Sequence, residues 1–272
     1  MSRTRKGLSS RAESSYRARK FHGSLVYTSR SRIDDDLAVV ARRYPGRGTR
    51  IGPDFVLVHG IGMSSRYFAP LADELARIGT VWTVDLPGYG SAPNPRRDVS
   101  IDDHAAALAG FLESSGIHDP VLIGHSMGCQ VVAALAVANP GVSDRLVLMA
   151  PAINPAERSV AHQAFRLAQD ALVEPPRANW VVFSDYLFRS GPLYFLRQMR
   201  HMLDDAIEAR LPAITARTLV IVGDQDAIVP TDWAEEVTRL LPNGTLRIVR
   251  GPHVIMFTDP VAIAAHIAEH CE

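Results

Sequence analysis

The sequence has few cysteines and no long apolar run. Its two cysteines, Cys129 and Cys271, lack the spacing of a metal site, and two cysteines in 272 residues do not make a disulfide framework. No stretch of eighteen uninterrupted apolar residues occurs, which argues against a transmembrane helix. The N-terminus has no apolar segment of the kind found in secretory signals. We therefore expect a cytoplasmic protein without a membrane span.

The chain also lacks net charge, but its charges are unevenly spread. Residues 1–20 hold seven basic residues and one acidic residue. This composition is typical of a disordered, solvated tail, with a transit peptide or a contact with an anionic surface as the alternatives. Because no basic patch with interleaved aromatic residues occurs, we expect no nucleic-acid partner.

Metal ligands in a recognisable arrangement are absent as well. His266 and His270 are four residues apart and could share one face of a helix. A zinc site needs further ligands, and no carboxylate or third ligand is in view. We therefore expect neither a metal nor a cofactor.

What the sequence does contain, from about residue 51 onward, is an alternation of strand-length apolar runs and helical patterns. Strands are predicted at 55–60, 120–124, 145–150, 218–223 and 245–249, and residues 80–90 are predicted to be a strand that runs into a loop rich in proline and glycine. Helices are predicted at 65–79, 100–116, 127–138, 231–242 and 259–271. Apolar strands that alternate with amphipathic helices indicate an α/β fold, with a mostly parallel central sheet and helices on both faces. Functional side chains of such folds lie at the carboxyl ends of the strands.

One segment breaks this alternation. Residues 154–212 contain no clear strand, and we predict that they form a helical cap inserted between a first core part, residues 21–153, and a second, residues 213–272. The alternative is one long crossover whose extra helices pack elsewhere. The segment holds these aromatic and methionine residues: Phe165, Trp180, Phe183, Tyr186, Phe188, Tyr194, Phe195, Met199 and Met202.

The stretch VLIGHSMGCQ, residues 121–130, places a serine between two glycines where an apolar strand meets a helix. This is the G-x-S-x-G pattern, in which a sharp turn exposes a serine hydroxyl above the sheet. Side chains at Gly124 and Gly128 would collide with the neighbouring strand and helix. The pattern predicts that Ser126 is a nucleophile.

A serine nucleophile needs a base and an orienting acid, which follow it in the chain in this kind of scaffold. Among the histidines after Ser126, only His253 directly follows a predicted core strand. We therefore predict that His253 is the base. The strand at 218–223 is followed by both Asp224 and Asp226, and strand spacing alone does not separate these two candidates for the acid.

The reaction also needs donors for a developing oxyanion. One is the backbone N–H of Met127, directly after the nucleophile. The other is expected in the loop HGIGMSS after the first strong strand, where Ile61 is our first choice and Gly62 the second. His59 is predicted to orient this loop rather than to take part in catalysis.

Four ordered motifs and His253 together resemble the α/β-hydrolase superfamily, in its serine-nucleophile branch with a helical cap. The motifs are HGIG at 59–62, DLPGYGSA at 85–92, GHSMG at 124–128 and GDQDAIVP at 223–230. The resemblance covers roughly residues 51–271 and implies the α/β-hydrolase fold. It also favours Asp226 over Asp224 as the acid, because Asp226 lies three residues after Gly223 and four before Pro230.

The resemblance implies a serine hydrolase that cleaves a small to medium, largely apolar carboxylic ester through an acyl-enzyme. Branches of the fold that use an aspartate at the elbow, the epoxide hydrolases and haloalkane dehalogenases, are disfavoured by Ser126. A carbon–carbon bond hydrolase, a thioesterase and a lactonase stay open, as does a non-catalytic ligand-binding protein. The expected partner is a small-molecule substrate, and the oligomeric state is open.

Overall fold

The computed structural model describes residues 17–21, 24–48, 52–155, 158–159, 166 and 192–272. Within these residues nine strands form one sheet in the order β1-β2-β3-β5-β4-β6-β7-β8-β9. The strands are β1 (Arg17–Phe21), β2 (Ser24–Arg32), β3 (Ala38–Tyr44), β4 (Asp54–Val58), β5 (Thr80–Asp85), β6 (Val121–His125), β7 (Arg145–Met149), β8 (Arg217–Gly223) and β9 (Gly244–Val249). Strands β4 to β9 run parallel to one another, and β1 to β3 join them as antiparallel neighbours. The prediction of a mostly parallel sheet is confirmed.

Helices cover both faces of this sheet. They are α1 (Ala69–Leu75), α2 (Ile101–Ser115), α3 (Met127–Ala138), α4 (Pro192–Asp204), α5 (Ile207–Arg210), α6 (Thr231–Leu240), α7 (Ile255–Thr258) and α8 (Pro260–Cys271). Short 3₁₀ helices lie at Ser65–Phe68 and Leu211–Ala213. Strand β4 shows how the layers divide, because Val56 and Val58 pack with the side of α2 and α3, whereas Phe55 and Leu57 pack with the side of α1 and α8. Alternate residues of the strand thus pack into two different apolar cores, as expected of a sheet that is buried on both faces.

Helix α2 illustrates how local sequence sets an element's ends. The Ser100 side chain accepts from the backbone N–H of Asp103, and the Asp103 carboxylate accepts from the backbone N–H of Ser100, which is a capping box. The helix ends at Gly116, whose φ of 64° is a left-handed conformation that glycine adopts without steric cost. The predicted span of 100–116 therefore matches the helix together with its two caps.

The N-terminal part of the sheet was not predicted. Residues 17–20, assigned to a disordered tail, belong to β1, which pairs with β2 in antiparallel register, so the tail prediction is wrong for these residues. Residues 1–16 lie outside the described part. Strand β2 lacks an extended apolar pattern, because serines (Ser29 and Ser31) occupy buried positions while Arg30 and Arg32 are exposed.

The predicted cap lies mostly outside the described residues. This holds for Phe165, Trp180, Phe183, Tyr186 and Phe188. The end of the segment is described and forms α4, α5 and the turn at Leu211–Ala213. Met199 and Met202 of α4 and Ile207 of α5 are buried in the same core as α2 and α3. Within the described part, no helix is both long and apolar enough to cross a membrane.

Candidate active site

Ser126 occupies a sharp turn between β6 and α3. Its φ of 54° and ψ of −120° are unusual for a residue with a side chain, and its backbone N–H donates to the carbonyl of Met149 at 3.0 Å. The two glycines are needed for close packing. A Cβ atom on Gly124 would lie 2.6 Å from the Gly128 carbonyl oxygen, and one on Gly128 would lie 2.2 Å from that of Val58. The turn therefore has the form of a nucleophile elbow.

Asp226 and His253 come together at the carboxyl edge of the sheet, after β8 and β9. The Nδ1 atom of His253 lies 2.8 Å from Oδ2 of Asp226, and both residues are buried. The other carboxylate oxygen, Oδ1, accepts the backbone N–H groups of Ile228 and Val229, each at 2.8 Å. These bonds fix the carboxylate, and in a neutral ring with its proton on Nδ1, Nε2 is the basic nitrogen of His253.

Asp224, the other carboxylate that strand spacing allowed, makes a different contact. Its side chain is exposed, and Oδ1 accepts the backbone N–H of Gly251 at 3.0 Å. Asp224 thus ties the loop after β8 to the loop that precedes His253. Of the two aspartates, the geometry gives Asp226 the position of an acid that orients a histidine.

Ser126 and His253 are brought to the same place through His125. The imidazole rings of His125 and His253 have centroids 4.7 Å apart, and Nε2 of His125 lies 3.1 Å from the carbonyl oxygen of His253. Since His125 directly precedes Ser126, Ser126 lies next to the loop that carries His253. The three residues of the predicted triad therefore cluster at one end of the sheet.

The loop after β4 runs beside the serine. A Cβ atom added to Gly60 would lie 3.0 Å from the Cβ of Ser126. His59 braces this loop, because its Nδ1–H donates to the Gly60 carbonyl at 2.8 Å and its Nε2 accepts the backbone N–H of Leu86 at 3.1 Å. Ile61, predicted to supply an oxyanion donor, follows Gly60 directly. The other predicted donor, the N–H of Met127, opens helix α3 next to Ser126.

The carboxylate of Asp85 organises the loops around this edge, a role that the sequence analysis missed. It is fully buried, accepts the backbone N–H groups of Ser65 at 2.7 Å and Ser91 at 2.9 Å, and pairs with Arg42 at 3.3 Å. Burial raises its pKa, but the Arg42 charge and these hydrogen bonds outweigh that effect and leave the pKa below its usual value. The sequence did contain a signal for this role, because Asp85 is the first residue of the motif DLPGYGSA. A Cβ atom on Gly90 would lie only 2.4 Å from its carboxylate carbon.

Helix α4 lies over the loops that follow β4 and β5. The ring of Phe195 would come within 2.9 Å of a Cβ atom on Gly62, and the hydroxyl of Tyr194 donates to the Pro87 carbonyl at 2.7 Å. Both contacts are made by residues that the sequence analysis placed in the cap. Apolar and aromatic side chains of α4 therefore stand at the edge of the sheet where Ser126 lies.

Candidate metal ligands do not form a centre in the described part of the chain. Nε2 of His270 lies 3.2 Å from the carbonyl oxygen of Arg217, and Nδ1 of His266 lies 3.9 Å from the carboxylate of Glu269. No group of three histidine, cysteine, aspartate or glutamate side chains with metal-binding geometry occurs among the described residues. The site is built from a serine, a histidine and carboxylates.

The fold and the order of these residues are those of a known family. Residues 55–266 match the family model described as "Alpha/beta hydrolase family", which covers more than half of the chain. The chain therefore belongs to the alpha/beta hydrolase family, as the motifs predicted.

Individual relatives agree with this assignment. The chain is 27% identical over 255 residues to "Putative carbamate hydrolase RutD" of Stutzerimonas stutzeri, covering 83% of this chain and 96% of that protein. The structure resembles an esterase from Thermogutta terrifontis with a TM-score of 0.73 and 21% identity, covering 86% of this chain and 92% of the esterase. It also resembles 2-hydroxy-6-oxo-6-phenylhexa-2,4-dienoate hydrolase from Rhodococcus sp. strain RHA1, with a TM-score of 0.72, 22% identity and coverage of 90% and 98%. The two structural likenesses establish the fold alone.

Proposed function

We propose that this protein is a serine hydrolase that cleaves a small to medium, largely apolar carboxylic ester through an acyl-enzyme intermediate. The observation that carries the proposal is the 2.8 Å contact between Asp226 and His253, at the same edge of the sheet as the elbow serine Ser126. A buried carboxylate that holds a histidine beside a serine on a turn is the arrangement that activates a serine hydroxyl.

In the acylation step, the Oγ atom of Ser126 attacks the ester carbonyl carbon while Nε2 of His253 takes the hydroxyl proton. Asp226 keeps the proton on Nδ1 and stabilises the imidazolium that forms. The tetrahedral intermediate then collapses, the bond from carbon to the alcohol oxygen breaks, and His253 returns its proton to the departing alkoxide. An acyl group remains on Ser126.

The negative charge of the intermediate falls on the former carbonyl oxygen. We assign its two donors to the backbone N–H groups of Ile61 and Met127. Ile61 lies in the loop whose Gly60 packs against Ser126, and Met127 lies at the N-terminus of α3, where the helix dipole favours a negative charge. Loss of one such donor costs about 10²–10³ in kcat in related chemistry.

Water resolves the acyl-enzyme by the same route in reverse. His253 takes a proton from water as the oxygen attacks the acyl carbon, and then returns a proton to Oγ of Ser126 as the acid leaves. The proposed cycle uses no metal and no cofactor, because His253 itself carries each proton from the attacking oxygen to the leaving group. The partner of the protein is thus a small-molecule substrate.

The apolar substrate class rests on α4 and on the predicted cap, residues 154–212. Phe195 and Tyr194 pack on the loops beside Ser126, so an acyl or alcohol group in the site would meet aromatic surface. Related proteins carry names for carbamate hydrolysis and for hydrolysis of a dienoate. A carbon–carbon bond hydrolase, a thioesterase or a lactonase on the same triad is therefore the alternative, and a non-catalytic ligand-binding protein is the second.

The test is turnover of p-nitrophenyl esters of graded chain length, from acetate to laurate, with the matching thioesters, lactones and vinylogous diketones in parallel. Ser126→Ala should lower kcat by about 10⁴–10⁶, since the nucleophile is lost. Ser115→Ala, which replaces a serine at the end of α2, is the matched control and should leave turnover unchanged. Near-normal ester turnover in Ser126→Ala would overturn the proposal, and turnover of only one of the other substrate classes would replace the ester with that class.

A further inference from the structure

A chain of hydrogen bonds runs through the protein beneath Ser126. The backbone N–H of Gly60 donates to the hydroxyl of Tyr67 at 3.2 Å, and that hydroxyl lies 2.8 Å from Nδ1 of His125. On the other side of the same ring, Nε2 of His125 lies 3.1 Å from the carbonyl oxygen of His253. Two side chains thus connect the loop after β4, which carries Gly60 and Ile61 and is called the oxyanion loop here, to the loop after β9 that carries His253.

The two ends of this chain fix the directions of its outer hydrogen bonds. A backbone N–H of Gly60 only donates, and a backbone carbonyl of His253 only accepts. His125 must therefore carry a proton on Nε2, and in the neutral ring this leaves Nδ1 to accept the proton of the Tyr67 hydroxyl, whose oxygen accepts from Gly60.

Burial makes this pair costly to disturb. His125 is fully buried and Tyr67 is 2% exposed, so no water replaces a lost partner. Burial, and secondly the nearby His253, hold the pKa of His125 well below its usual range, which favours the neutral ring. The Tyr67 ring is also held by stacking on Phe68, with centroids 4.3 Å apart.

The position of the pair in the fold suggests what it does. Gly60 follows β4, His125 ends β6, and His253 follows β9, so the three loops that carry the proposed oxyanion donor, nucleophile and base come from three different strands. The hydrogen bonds between neighbouring strands end where the strands end, so they do not fix the positions of these loops relative to one another. The hydrogen-bonded pair spans all three.

We propose that Tyr67 and His125 are positioning residues that hold the oxyanion loop and the His253 backbone in register with Ser126. This inference rests on the proposed function, because it concerns the rate of that reaction. The hydrogen bonds described above join the two side chains to each other and to backbone groups of Gly60 and His253. A displacement of about 1 Å in a catalytic group can cost about 10²-fold in rate, so we expect losses of roughly 10- to 100-fold in kcat.

Three variants test the inference. Tyr67→Phe removes the hydroxyl alone, His125→Phe keeps a ring of similar shape but removes both hydrogen bonds, and His125→Gln restores one donor and one acceptor on a single rigid amide. We expect kcat for a p-nitrophenyl ester to fall 10- to 100-fold in the two Phe variants, with KM within threefold of wild type. His125→Gln should recover most of the lost kcat.

Tyr44→Phe is the matched control, because Tyr44 is a buried tyrosine in the same apolar cluster as Tyr67 but lies on β3. It should leave kcat unchanged. If Tyr67→Phe and His125→Phe keep kcat within twofold of wild type while Ser126→Ala abolishes turnover, the inference is overturned and the proposed function stands. Equal losses in His125→Gln and His125→Phe would also overturn it. A wild-type protein without ester turnover would overturn the proposed function, and the inference with it.

Discussion

His104 is a buried histidine whose protonation should weaken the fold in a measurable range of pH. It lies on α2, is fully buried, and its Nε2 lies 2.9 Å from Oε1 of Gln198 on α4. The amide nitrogen of Gln198 donates to the Val99 carbonyl at 2.9 Å, which leaves Oε1 to accept from His104. Burial lowers the pKa of His104 from 6.5 to about 4, although the hydrogen bond that His104 donates to Gln198 opposes this shift.

The sign of the effect follows from the direction of this shift. The folded protein holds His104 neutral, whereas the unfolded chain protonates it once the pH falls below about 6.5, so acid favours the unfolded state. The contribution of His104 to stability is complete above pH 6.5 and is lost as the pH falls toward 4. Between pH 7 and pH 5 the lost free energy of unfolding is about 2 kcal/mol, and below pH 4 it approaches about 3 kcal/mol.

The assay is urea unfolding at pH 7, 6 and 5 for the wild type and for His104→Gln, which keeps a donor for Gln198 but does not titrate. We expect the variant to gain about 2 kcal/mol relative to the wild type as the pH falls from 7 to 5. His118→Gln is the control, because His118 is exposed and should give curves parallel to those of the wild type. Parallel pH dependences for wild type and His104→Gln would refute the reasoning.

The remaining predictions concern the proposed triad, its supporting carboxylate and the pocket. Asp226→Asn should lower kcat by about 10⁴ because the His253 tautomer is no longer held, whereas Asp224→Asn should be mild; steady-state rates in the reverse order would contradict this assignment. Asp85→Asn should cost about 3 kcal/mol in urea unfolding, because the neutral amide no longer pairs with the half-buried Arg42 and cannot accept from both backbone N–H groups equally well; a loss below about 1 kcal/mol would argue against that role. Phe195→Ala should move the preferred p-nitrophenyl ester toward longer acyl chains, with roughly 1–3 kcal/mol per methylene at stake, while Leu193→Ala, at a position that is 64% exposed, should not. An unchanged chain-length profile in Phe195→Ala would mean that this ring only packs the helix.

The parallel part of the fold could be predicted because its strands are apolar runs and the helices between them have a helical apolar pattern. The run at 120–124 is apolar throughout, and the strand is found at 121–125; the helix expected at 127–138 is found with those bounds. Strand β2 has no such pattern. In its second half Ser29 and Ser31 are buried and Arg30 and Arg32 are exposed, so no apolar run or apolar alternation extends along the strand.

The site could be predicted only as far as the chain order of its elements allowed. A strand end and a glycine-flanked turn indicate Ser126, and a strand end indicates His253. Tyr67 and His125 form a pair across 58 residues, and His125 meets the carbonyl of His253 across 128 residues. Contacts of this range depend on how the loops pack, which no local pattern records. For the same reason strand spacing did not separate Asp224 from Asp226.

The central claim is that Ser126 is a nucleophile activated by His253, and covalent trapping tests it most directly. Wild-type protein is incubated with a fluorophosphonate, and the intact mass and the modified peptide are measured by mass spectrometry. We expect one phosphonyl adduct per chain on Ser126, no adduct in Ser126→Ala, and labelling at least 10²-fold slower in His253→Ala, because the base that removes the hydroxyl proton is lost. A wild-type protein that stays unmodified, or that carries the adduct on another residue while Ser126 stays free, would contradict the account.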